Sequence, residues 1–180
     1  TSPGVKYNKG TLVIQGNKIV KIDSTLNIPQ GAIVYDLKGD YIYPSFIDLY
    51  SDYGLKKATR GKYNYRPQYT SNKEGAYHWN EAIHPEINAS KEFKSNSKSA
   101  KKYLSNGFGS VLTHIQDGIL RGTGVFVSLS EKTDNENILI KYGGAFYSFR
   151  KGVSSQKTPS SLMGSIALIR QNFLDAEWYK

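Results

Sequence analysis

The stretch Tyr41–Gly54, YIYPSFIDLYSDYG, constrains the fold of this chain more than any other. Tyr41, Ile42, Tyr43, Phe46 and Ile47 are aromatic or β-branched, the residue types that fit a pleated surface. Near-continuous apolar character over so short a span predicts a strand buried on both faces, as in a parallel sheet. Pro44 has no N–H to give to a ladder, so it divides an approach, Tyr41–Tyr43, from the strand proper, Phe46–Tyr50. Asp48, Ser51 and Asp52 fall toward the carboxyl end of that strand. In barrel-type α/β folds this is the end where chemistry is built.

The residues before this stretch read as short strands. Thr11–Ile14 is apolar, Gln15-Gly16-Asn17 is a turn signal and Lys18–Ile22 alternates, which predicts a β-hairpin. Asn27–Gly31 marks a second turn and Ala32–Leu37 a third strand. Lys38-Gly39-Asp40 then turns the chain into the central stretch.

After it comes an irregular loop over residues 55–89. Lys56, Lys57, Arg60, Lys62 and Arg66 interleave there with Tyr63, Tyr65, Tyr69, Tyr77 and Trp79. Such a loop either packs over the sheet through its tyrosines or holds an anion or sugar by stacking and charge. His78 and His84 lie in it, six residues apart. A helical metal pair needs i and i+4, so both read as structural histidines or as contacts to a neighbouring domain.

Regular elements resume beyond the loop. Ser90–Asn106 predicts a helix stopped by Asn106-Gly107, and Gly109–Ile115 a strand, which with the central strand makes a βαβ unit and a parallel pair. His114 sits near the carboxyl end of that strand. The following loop, Gln116–Gly124, holds three glycines and Arg121, which is able to pair with a carboxylate. Val125–Leu129 and Ile138–Lys141 read as further strands joined by the polar Thr133–Asn137. In Ser160–Lys180, Leu162, Ile166, Ile169, Phe173 and Ala176 recur at helical spacing.

The central stretch resembles the first barrel strand of the amidohydrolase superfamily, which reads roughly P-G-x-I-D-x-H-x-H. Pro44, Ile47 and Asp48 match, Ser45 stands for the glycine, and Tyr50 and Asp52 stand where two metal-binding histidines are usual. The order G-T-L-V-I-Q-G-N-K-I-V-K-I, I-P-Q-G-A, D-L-K-G resembles the small β-sandwich that precedes the barrel. S-N-G-F-G-S-V-L-T-H resembles the lead into its second strand. The helix S-S-L-M-G-S-I-A-L-I-R-Q-N-F-L-D-A resembles one in large bacterial tandem proteins related to imidazolonepropionase.

The resemblance implies an α/β chain: a β-sandwich portion over residues 1–38, then the first βαβ units of an incomplete (β/α)8 barrel over 39–180. It implies the amino-terminal part of a degenerate first domain, in a bacterial periplasmic or envelope setting. Its partner is then the remainder of its own longer chain or an associated subunit. The opening at Thr1 without methionine, and a last helix with no stop signal before Lys180, read as a segment processed or cut from something longer.

Composition narrows the function classes. At 180 residues and 38% hydrophobic content the chain is globular rather than disordered. The absence of cysteine excludes disulfides and thiolate metal sites. No apolar run is long enough to span a bilayer as a helix. The net charge of +9 favours anionic partners, but no nucleic-acid recognition motif accompanies it.

Three readings follow. The chain is a degenerate amidohydrolase domain that shapes a C–N hydrolase site held elsewhere, a working metal hydrolase with an altered ligand set, or a binding module for an anion or sugar. Asp48, Tyr50, Asp52, His114 and Arg121 are the candidate ligand-binding residues. No catalytic residue is assigned. No cofactor is expected in this segment; Asp52 is its one candidate metal ligand, and a divalent metal such as zinc belongs to the full-length protein.

Overall fold

The computed structural model describes residues 4–60, 71, 73–75 and 77–180. The chain divides into two compact units, Thr1–Pro44 and Ser45–Lys180.

The first unit holds the expected hairpin, β1 (Thr11–Gln15) antiparallel to β2 (Lys18–Asp23). Gly16 makes the turn at φ 60°, a conformation that costs glycine nothing. Ala32–Leu37, expected as a third strand, forms none. It lies between a turn closed by Ala32 N–H donating to the Pro29 carbonyl (3.1 Å) and another closed by Asp40 N–H donating to the Leu37 carbonyl (2.9 Å). Its β-rich composition is not enough, because a strand needs a neighbour for its backbone groups and none pairs with it among the described residues. The small β-sandwich is therefore represented there by one hairpin.

The second unit contains β3 (Phe46–Ser51), α1 (Ala89–Glu92), α2 (Ser97–Ser105), β4 (Phe108–Thr113), β5 (Leu120–Thr123) and β6 (Val125–Ser128). α3 (Asp134–Asn137), β7 (Ile138–Ile140), β8 (Ala145–Tyr147) and α4 (Leu162–Tyr179) follow. The helix expected over Ser90–Asn106 is broken in two. Asn88 caps α1 by accepting from Ser90 N–H, and Asn96 caps α2 by accepting from Ser99 N–H. Between them Phe93 adopts extended backbone and buries its ring, 5% exposed. A second asparagine cap and one deep anchor outweigh helix continuity here. Gly107, at φ 84°, ends α2 and returns the chain into β4.

β3 and β4 pair in parallel across the α1–α2 connection, as the strand–helix–strand order predicts. The sheet then departs from the expected series of βαβ units. β4 pairs antiparallel with β6, and β6 antiparallel with β7, giving an open sheet in the order β3-β4-β6-β7. Residues 114–124 between β4 and β6 contain β5, which joins β8 in a separate sheet, and no helix. A parallel return needs a crossover of a dozen residues or more, which that segment does not supply.

Two apolar clusters hold the unit. One joins Val111, Val125 and Val127 of the sheet, and Leu129 just after β6, to Ala89, Phe93 and Ala100 of α1, its C-cap and α2, with Tyr53 among them. The other joins Ala82, Ile83, Ile119 and Leu120, with Leu168 and Ile169 of α4 laid against it.

β3 is not buried on both faces. Phe46 and Leu49 are 67% and 65% exposed. Among the described residues it is an edge strand with a neighbour on one side only, so its apolar residues lack the cover their sequence anticipates. No helix among the described residues is long and apolar enough to cross a membrane.

Candidate functional site

The carboxyl ends of β3 and β4 are locked together. His114 N–H donates to the Ser51 carbonyl (3.1 Å) and Thr113 Oγ1 to the Tyr53 carbonyl (2.8 Å). Ser51 Oγ accepts from Tyr53 N–H (3.0 Å) and meets the Tyr103 hydroxyl of α2 at 3.0 Å. This fixes Tyr50 and His114 side by side, with the tyrosine ring edge-on to the imidazole at 5.0 Å.

Arg121 of β5 completes the group. Its Nη1 donates to the Tyr50 hydroxyl at 2.9 Å and lies 3.5 Å from His114 Nε2, while its Nε donates to the Gly118 carbonyl at 3.1 Å. The His114 ring also stacks on Phe146 of β8, 3.8 Å apart and 10° from parallel.

Burial and the adjacent guanidinium push the His114 pKa down to about 4, against a weaker opposing pull from Asp52. The ring is therefore neutral at pH 7. A guanidinium only donates, so Nε2 accepts and the proton sits on Nδ1. That Nδ1 is buried and has no hydrogen-bond partner among the described residues.

Of the five candidate residues, Tyr50, His114 and Arg121 thus meet, although Tyr50 and Arg121 are 71 residues apart. Asp48 is occupied locally, accepting from Tyr50 N–H at 3.0 Å. Asp52 faces Lys57, Oδ2 to Nζ 3.2 Å, and reaches His114 only through its charge.

A second polar group is built on Asp117, next in the chain to the Gly118 whose carbonyl accepts from Arg121. Asp117, 7% exposed, accepts from Val153 N–H at 2.8 Å. Its Oδ2 stands 3.5 Å from His84 Nε2, at ion-pair distance but without hydrogen-bond geometry. Burial alone raises the Asp117 carboxyl; the His84 ring and the N–H groups of Val153 and Gly118 outweigh it and hold the pKa below the usual range. His84 Nδ1 meets Lys73 Nζ at 2.8 Å and Glu86 at 3.4 Å. A side chain on Gly152 would collide with the Asp117 carboxylate, which explains the glycine. His78 serves locally, its Nδ1 accepting from Asn80 N–H. Among the described residues no three His, Asp or Glu side chains converge as a metal site.

Sequence reasoning missed Phe146 and Asp117. Phe146 lies on a three-residue strand with no distinguishing pattern. The Asp117-Gly118 pair was the available signal, because aspartate beside glycine marks a chain reversal with a free carboxylate. Lys62, Tyr63, Tyr65, Arg66 and Tyr69, the heart of the basic aromatic loop, lie outside the described residues.

The fold of the chain is similar to that of a solved amidohydrolase. That structure is an amidohydrolase from Thermotoga maritima MSB8, with a TM-score of 0.70 and 23% identity over 93% of this chain. The match spans 43% of that protein, so this chain corresponds to less than half of its length. No family model matches the sequence. No curated protein matches it either.

Proposed function

We propose that this chain is a metal-free, amidohydrolase-fold domain that shapes and supports a C–N hydrolase site held elsewhere in a larger protein. The parallel β3–β4 pair is its part of a barrel-type sheet, and the exposed edge of β3 is where the remainder of its own chain, or an associated subunit, packs.

One observation carries the reading. The position that the resemblance gives to a metal-binding histidine is Tyr50, and its hydroxyl is held by the Arg121 guanidinium at 2.9 Å. The same guanidinium faces the accepting nitrogen of His114. A divalent cation bound by these donors would sit against a fixed positive charge, which opposes it directly. Tyrosine, with a free pKa near 10, is also a poor donor to a metal at neutral pH unless the metal itself ionises it. Asp52, the remaining candidate, is already paired with Lys57 at 3.2 Å. The residues therefore do not fit a metal, and what this group does is brace strand ends: Arg121 ties β5 to Tyr50 of β3 and to His114 at the end of β4 through two acceptors, while its Nε holds the Gly118 carbonyl of its own loop.

Elemental analysis of the full-length protein tests this. Asp52→Ala and Tyr50→Phe are each expected to leave its metal content unchanged. Loss of metal in either variant would transfer the chain to the class of working hydrolases with an altered ligand set.

A further inference from the structure

We propose that the cleft between β3, β8 and α4 is a carboxylate-binding site anchored by Arg121. The cleft, about 530 Å³, is lined by Tyr50, Arg121, Tyr147, Phe149, Ile166 and Arg170, among others. This goes beyond the supporting role argued above and rests on a different observation.

Arg121 is only 6% exposed, yet no Asp or Glu among the described residues forms an ion pair with it. The residues outside the description contain no Asp or Glu, so this chain has no undescribed carboxylate to offer it. Asp52, whose charge reaches His114, already pairs with Lys57. A buried guanidinium without a counter-charge is costly, and such groups are ordinarily paired.

The fork is also only partly used. Nε and Nη1 donate to neutral acceptors, the Gly118 carbonyl and the Tyr50 hydroxyl, which fix the plane of the group. His114 beside it is uncharged. Nη2 donates to no described residue. Held rigid on a residue that lines the cleft, it matches one oxygen of a planar carboxylate. Arg170, exposed on α4, supplies a second cation at the same cleft. Tyr147, Phe149 and Ile166 give it an apolar wall. The ligand is therefore a carboxylate on an aromatic or aliphatic body. Its source is either a free organic acid or the Asp or Glu side chain of a segment packed on this face.

Benzoate titrated calorimetrically into the full-length protein tests the site, with neutral benzamide as the control. Saturable benzoate binding is expected, absent for benzamide. It should weaken roughly ten-fold or more in Arg121→Lys, which loses the planar fork, and roughly three-fold in Arg170→Gln. Arg170 is exposed, so its variant keeps the fold and the test survives if the Arg121 variant does not. If benzoate does not bind, a crystal structure of the full-length protein decides. A carboxylate from another segment seated on Arg121 would confirm the site and name the side-chain source, whereas none there would overturn it. Benzoate binding that both substitutions leave unchanged, or that benzamide matches, would overturn it as well.

Discussion

β3 and β4 are adjacent, parallel and similar in composition, FIDLYS against FGSVLT, but their fates differ. Val111 and Thr113 of β4 are fully buried, while Phe46, Ile47, Leu49 and Tyr50 of β3 are each more than half exposed. β4 has β3 on one side and β6 on the other, and the Phe93–Ala100 cluster on one face. β3 has a single neighbour among the described residues. Burial is set by what surrounds a strand, and an apolar strand with one side open is the sheet's unfinished edge.

Four substitutions break or sharpen this contrast. The largest effect falls on the covered side. Leu129, fully buried and hydrogen-bonded through its N–H to the Gly109 carbonyl of β4, should lose about 2–5 kcal/mol of stability on change to alanine, read by urea unfolding. Gly122→Ala comes next. Gly122 sits at φ 73° with the Ile87 carbonyl where a Cβ would go, so β5 must shift. The cost should be about 1–3 kcal/mol, with Arg121 displaced from Tyr50.

The third effect depends on pH. His114 has a folded pKa of about 4 against an ordinary 6.5. Between these values the unfolded chain binds a proton that the folded chain does not, so stability falls as pH drops from about 6.5 to about 4. His114→Gln should flatten that part of the stability profile, and an unchanged slope would show that the ring is not held neutral. The smallest effect is on the open strand. Leu49→Ala should stay within about 0.5 kcal/mol in the 180-residue chain and grow severalfold in the full-length protein, measured by the same urea titration.

Much of the fold was legible locally. The hairpin around Gly16, the β3–β4 parallel pair and α4 follow from periodicity and turn chemistry, which operate over a few residues. The break between α1 and α2 was less legible, because Asn96 as a cap competes with a continuous helical pattern and only Phe93's seat in the core decides it. The antiparallel return of β6 and the exposure of β3 depend on partners that no local pattern names. In the site, the motif resemblance pointed to Tyr50, a strand end to His114 and the glycine-rich loop to Arg121. Their contact is tertiary, and neither the Phe146 stack nor Asp117's role in joining His84 to Val153 has a sequence period.

That the open edge of β3 is completed by a segment beyond this chain is tested most directly by amide hydrogen exchange at β3, in the 180-residue chain and in the full-length protein. Those of its amides that do not donate to β4 should exchange rapidly in the short chain and become protected by at least about a hundred-fold in the full-length protein, as expected when a free edge gains a partner. Equal exchange of the β3 amides in both proteins would contradict it, and would mean that the sheet β3-β4-β6-β7 is complete as it stands.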